Sequence, residues 1–109
     1  MGREIVIQLS RQVTDAEMHQ LLQELSDTED YIAVKPLSSA GGKSKLSLRM
    51  SKIPLRESWP EDITVSSQNE NKEIYVCMHT GVSNDMNELV TLLKNWLAKI
   101  EVNTTEYEP

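Results

Sequence analysis

A chain of 109 residues with 17 acidic and 11 basic side chains, formal net charge −6, has room for one hydrophobic core and too little positive charge to bind nucleic acid over its whole surface. Its single cysteine, Cys77, excludes an internal disulfide, and no segment approaches the roughly 20 apolar residues of a membrane-spanning helix. With no Phe, the core has to come from Ile, Val, Leu and Met together with Trp96, and with no basic, apolar, small-residue leader at the start a cytoplasmic setting is expected.

Ile5, Ile7 and Leu9 alternate with Val6 and Gln8, a period of two that predicts a first strand over residues 4–9 with one strongly apolar face. Thr14-Asp15-Ala16-Glu17 follows as a capping box: the Thr14 hydroxyl accepts from a free backbone N–H, Glu17 reaches back, and Val13 and Met18 are spaced as a hydrophobic staple. The helix begun there sets Met18, Leu21, Leu22 and Leu25 on one stripe, with Glu17, Gln20, Gln23, Glu24 and Asp27 towards water. A second strand is expected over residues 31–37, ended by Pro36 or placed by it at an edge.

Ser38-Ser39-Ala40-Gly41-Gly42 reads as a turn into a third strand, where Leu46, Leu48 and Met50 alternate with Lys45, Ser47, Arg49 and Ser51. Burying the apolar set aims Lys45 and Arg49 together from the opposite face. Residues 54–62 read as a proline-bounded loop, and residues 63–66 and 74–78 as the arms of a hairpin around a polar turn. Asp85-Met86-Asn87-Glu88 offers a second cap, and the helix after it carries Met86, Leu89, Val90, Leu93, Trp96, Leu97 and Ile100 on a broad stripe. The order is β-α-β-β-β-β-α, an α/β (α+β) two-layer sandwich with two helices on one face of a mixed, mostly antiparallel sheet whose first two strands run parallel. Residues 1–102 are expected to form a single domain and residues 103–109 a flexible acidic tail.

Charge is distributed unevenly. Residues 31–56 hold six basic side chains and no acidic one, whereas residues 1–30 hold two basic against seven acidic and residues 57–109 three against ten. Such polarity orients a charged partner during encounter. Two surfaces are candidates: an acidic one made by Asp15, Glu17, Glu24 and Asp27 with Glu57, Glu61 and Asp62, and a basic one made by Lys35, Lys43, Lys45 and Arg49. Trp59 lies in the same loop as Glu57, Glu61 and Asp62, counts with the acidic partner-binding set, and serves either as a plug for the core or as an exposed binding anchor.

No catalytic, cofactor or metal constellation emerges. Gly42-Lys43-Ser44 imitates the end of a phosphate-binding loop but lacks the glycine five positions before Gly42, where Leu37 stands, and precedes a strand instead of a helix. Cys77 and His79 share a strand face without a third orienting group, and His19 is the only other histidine, too few ligands for zinc. A non-enzymatic, cofactor-free binding module is the expectation.

In size, acidity and sheet-plus-helices layout, with the acidic helix and the Glu57-to-Asp62 loop, the chain resembles small cytoplasmic immunity proteins of bacterial contact-dependent and other polymorphic toxin systems. The resemblance implies a protein partner, a toxin domain, bound through charge complementarity. Without its first strand the chain is also similar in outline to double-stranded RNA-binding domains, which would use Lys43, Lys45 and Arg49. It departs from them where they carry lysines, since its last helix opens with Asn84-Asp85-Met86-Asn87-Glu88.

Overall fold

The computed structural model describes residues 3–34, 37–40, 43–51, 61–79 and 83–109. Among these, the elements in chain order are β1 (Arg3–Leu9), α1 (Asp15–Ser26), β2 (Tyr31–Ala33), β3 (Ser38–Ala40), β4 (Lys43–Met50), β5 (Ile63–Gln68), β6 (Glu73–Met78), α2 (Ser83–Lys99) and β7 (Thr104–Tyr107). The strands make one sheet in the order β2-β4-β5-β6-β1-β7, and β3 joins β4 on the edge that β2 also uses, so that seven strands occupy six positions.

The α+β layering follows from residue pattern. Cross-strand register lines up Ile5 with Val76 and Val65, Ile7 with Ile74, and Leu48 with Ile63, collecting the aliphatic residues of β1, β4, β5 and β6 other than Val6 on one face. Met18, Leu21, Leu22 and Leu25 of α1 and Met86, Leu89, Val90, Leu93 and Leu97 of α2 pack with that face in a single core cluster. A sheet with one apolar face and two helices with one apolar stripe each bury the most surface in this way. No described helix is long and apolar enough to cross a membrane.

The structure departs from the sequence pattern in four places. Every strand pairing is antiparallel, so the sheet is not mixed; β1 and β2 do point the same way, but β4, β5 and β6 stand between them because α1 carries the chain to the far edge. The second strand, expected over residues 31–37, is described only as the short β2 (Tyr31–Ala33), and Ser38–Ala40, expected to be part of a turn, pairs with β4 as β3. α2 begins at Ser83, ahead of the Asp85 cap, and Asp85 is buried in its first turn. Residues 104–107, assigned above to a tail, pair as β7 with β1 from Leu9↔Thr104 to Val6↔Tyr107.

The return of the chain to β1 is made by the end of α2. The Val102 N–H donates to Leu97 O (2.9 Å) and the Glu101 N–H to Ala98 O (3.1 Å), with Glu101 at φ 61° and Val102 buried, the geometry of a Schellman cap. Glycine is the usual occupant of the left-handed position, and a glutamate there carries a steric cost.

Arg11 fastens this corner to α1. Its guanidinium forks onto Glu17 (3.1 and 3.0 Å) and also donates to Ile100 O at 3.2 Å. Glu17 in turn accepts from the Thr14 N–H (2.9 Å) while its own N–H donates to Thr14 Oγ1 (3.0 Å), completing the capping box. The hydrogen bond from Arg11 and the one from the Thr14 backbone hold the Glu17 carboxyl down at about 2. The β5–β6 turn is pinned to the same end of α1: Asn69, Glu70 and Asn71 all have left-handed backbone, and Asn71 Nδ2 donates to Asp15 Oδ1 at 2.7 Å.

Two stability measurements check these corners. A carboxyl held low in the folded chain contributes stability that is complete above its unfolded pKa of about 4.3 and fades as pH falls towards the folded value. Glu17→Gln is therefore expected to lower stability by about 1 kcal/mol near neutral pH, with the difference from the parent shrinking below about pH 4.5 and gone only once the pH is below about 2 in denaturant titrations. Glu101→Gly is expected to raise stability by about 0.5–1 kcal/mol, read in the same experiment at pH 7.

Candidate protein-binding surface

The helical layer is not smooth. Between α1 and α2 runs an open groove of about 600 Å³ lined by Leu21, Glu24, Leu25 and Thr28 on one side and Leu92, Leu93, Asn95, Trp96 and Lys99 on the other. Its floor is core: Leu21, Leu25 and Leu93 are buried, and Trp96 is half-buried against them. Leu92 is different, with 40% of its surface exposed, because it falls one residue outside the stripe that α2 turns to the sheet.

Leu92 also borders the next concavity, where Asp30 and Tyr31 face Asn87, Glu88 and Thr91. That one continues into a small cleft among Asp30, Tyr31, Met50, Ser51, Asp85 and Glu88. The surface thus changes from apolar around Leu92 and Trp96 to anionic around Asp30 and Glu88. The field there registers on a neighbour: burial first, then the charges of Asp30, Glu88 and Asp85, push the Tyr31 phenol up to about 12.

The acidic residues singled out in the sequence separate into distinct roles. Glu24 lines the groove and Asp27 stands exposed at the end of α1, where the Gln23 amide donates to it at 3.2 Å. Asp15 and Glu17 sit at the opposite end of the helix, engaged with Asn71 and Arg11. Glu61 is on the other side of the sheet, its carboxylate accepting from Thr64 Oγ1 at 3.4 Å. Asp62 is buried: its carboxylate accepts from the Met50 N–H at 2.9 Å and its carbonyl from the His79 N–H at 2.7 Å. It ties the ends of β4, β5 and β6 together and offers no charge to a partner. The acidic surface read from sequence therefore loses Asp62, and Glu61 does not join the α1 carboxylates. Glu57, Trp59 and Lys35 lie outside the described residues.

The sequence reading missed Asp30, Glu88 and Leu92. Leu92 carried a signal, being an apolar residue off the α2 stripe and one turn from Trp96. Asp30 and Glu88 are brought together only by the packing of α2 beside β2, which periodicity does not report.

The basic candidates stand on the outer face of the sheet. Leu46, Leu48 and Met50 are buried, and alternation sends Lys43 and Lys45 to the exposed side with Arg49 half-buried beside Ile32. Among the described residues none of the three forms an ion pair with a carboxylate. The β1 and β6 half of this face is polar and acidic, with Glu4, Gln8, Glu73, Tyr75, Cys77 and His79. Val6 faces outward too, yet it is buried, set between its cross-strand neighbours Tyr75 and Tyr107.

Cys77 and His79 do approach, with Sγ 3.9 Å from Nδ1, and His79 Nε2 lies 3.2 Å from Thr64 Oγ1. Burial and the nearby charge of Glu4 raise the thiol pKa, which is the reverse of what a nucleophilic cysteine needs. A hydrogen bond to Glu4 and partial burial likewise raise that of Tyr75. Among the described residues no group of three or more His, Cys, Asp or Glu side chains is arranged to hold a metal ion.

No family model matches the chain, and no curated protein matches it. Among solved structures, it is similar to a chain from the crystal structure of the toxic C-terminal tip of CdiA from Pseudomonas aeruginosa in complex with immune protein. The two are 12% identical with a TM-score of 0.40, and the superposition covers 92% of this chain and 79% of that one. A likeness of that size assigns neither a family nor a role.

The acidic cleft has a direct readout in Tyr31. Replacing Glu88 by Gln removes one of the charges that disfavour phenolate, and the Tyr31 titration midpoint, followed by NMR of the ring, is expected to move down from its parent value near 12. An unchanged midpoint would place Glu88 too far from the phenol to matter.

Proposed function

We propose that this chain is a stoichiometric protein-binding module that meets a basic partner through its helical layer. In its finer form the proposal is that the partner is a bacterial toxin domain and the chain an immunity protein that neutralises it by charge-complementary binding. The observation that carries the coarser reading is the helical surface itself, where exposed carboxylates (Glu24, Asp27, Asp30, Glu88) lie around the exposed Leu92 and the half-buried Trp96. An apolar contact ringed by charge is the composition of a protein interface, and the net charge of −6 selects a cationic counterpart. The finer reading is supported by the resemblance in size, acidity and layout set out above.

RNA binding through Lys35, Lys43, Lys45 and Arg49 is the second reading, favoured by the exposure of Lys43 and Lys45 on one sheet face. Against it, Glu4 and Glu73 share that face, and its two tyrosines lie on the acidic half, where they cover Val6. The phosphates of an RNA would meet repulsion across half of the sheet.

The test begins with recovery of the tagged chain from its native cells at moderate salt and identification of what copurifies in stoichiometric amount. With a basic protein partner in hand, the association rate is expected to fall about tenfold or more between about 50 and about 500 mM salt. Glu24→Lys with Asp27→Lys is expected to slow association by about tenfold and to flatten that salt dependence. An association rate indifferent to salt removes the steering argument. Recovery of RNA alone, lost on Lys45→Glu with Arg49→Glu, transfers the function to the other face.

A further inference from the structure

Resting on the protein-binding reading, we infer that the groove between α1 and α2 is the anchor of the interface and takes a short basic, amphipathic segment of the partner. A large aliphatic or aromatic side chain of that segment sits between Leu92 and Trp96, and its lysine or arginine side chains lie over Asp30 and Glu88.

Exposed apolar side chains are common singly, but this one is placed. Leu92 stands at the junction of the groove with the acidic concavity and contributes to the lining of both. Along α2 it is followed one turn later by Trp96, and beneath the pair lie the buried Leu21, Leu25 and Leu93. A volume of about 600 Å³ takes a few large side chains and not a folded domain, which makes the occupant a segment. A tryptophan in a recess with polar groups around it is the arrangement in which a few residues supply most of the binding free energy, and Leu92 adds apolar area beside it.

Charge then chooses among occupants. Where α1 ends, the recess is bordered by Asp30 and Glu88, with Glu24 on the last turns of α1; Lys99, the last residue of α2, borders it farther along. A nucleic acid or an anionic lipid surface would bring phosphates against Asp30 and Glu88. A second copy of this chain would set one acidic rim against another at −6 each. A cationic segment meets neither objection. Lys99 further fixes polarity: the basic residues of the segment belong at the Asp30 end, and an apolar or neutral stretch belongs towards Lys99.

The division of labour differs from that of the α1 carboxylates. Steering charges act on the rate of encounter, whereas a seated apolar anchor acts on the rate of escape. This separates failure of the groove from failure of the broader reading.

The probes are two synthetic peptides of about 14 residues, long enough for amphipathic helix formation, one of Leu and Lys and one of Leu and Glu in the same pattern. Each is titrated into the full, isotope-labelled chain and followed by amide and indole N–H NMR signals. The Leu/Lys peptide is expected to shift the Trp96 indole and the Leu92, Asp30 and Glu88 amides with a dissociation constant of tens of micromolar, roughly the strength of one segment alone. Leu92→Glu, an exposed substitution whose folding is checked by thermal melting, is expected to weaken binding about tenfold, and Glu88→Lys about fivefold. The Leu/Glu peptide is expected not to bind. Shifts centred elsewhere on the helical layer, or a Leu92→Glu variant that binds as the parent does, overturn the groove assignment while leaving salt-steered protein binding intact. Absence of binding by the Leu/Lys peptide overturns it as well, and shifts at Leu92 and Trp96 that grow with protein concentration alone give the groove to a second copy and overturn it.

Discussion

Alternation along β4 is the constraint from which the two surfaces of this protein follow. Leu46, Leu48 and Met50 are buried, Leu46 and Leu48 in register with Val65 and Ile63 of β5 and Met50 with Tyr31 of β2, and a strand that commits one side of its backbone to a core has no choice about the other. Lys43, Lys45 and Arg49 are consequently outward, and both helices are consequently inward, on the layer where the carboxylates of α1 and α2 gather. The sheet is therefore an insulator as well as a scaffold. It holds the cationic stripe of β4 apart from the carboxylates of the helical layer, while Glu4 and Glu73 share the outer face with that stripe.

Much of this was legible in the chain itself. The capping box at Thr14, the stripe Met18-Leu21-Leu22-Leu25 and the β4 alternation are each local, and local geometry made them good guides. What was not legible is what depends on distant partners. Periodicity gives a strand its faces but not its neighbour, and the position of β1 between β6 and β7 is decided by how well Ile5 and Ile7 match Val76 and Ile74 across the sheet. The polar sequence Thr104 to Tyr107 has little propensity to order alone; it is a strand because the Schellman turn at Glu101 delivers it to an unfilled edge.

The same distinction explains the candidate site. Glu24 and Asp27 were identified because a helix shows its exposed face in its spacing. Asp62 was misread because an aspartate in a loop looks the same in sequence whether it faces water or accepts from the Met50 amide inside the protein. Asp30, Glu88 and Leu92 belong to different elements and become a surface only when α2 is laid beside α1 and β2. Binding surfaces assembled in this way are where one-dimensional reading is weakest, since each residue in isolation is ordinary.

The strand β7 has a consequence beyond completing the sheet. β1 is the most aliphatic segment of the sheet's outer half, and without a companion on that flank its amides and carbonyls would form a bare template for pairing with other chains. Thr104, Thr105, Glu106 and Tyr107 occupy that flank with a short, polar, charged ribbon. Residues 104–107 thus put a short polar ribbon at the edge in place of the aliphatic β1, and Tyr107 covers Val6 on the outer face.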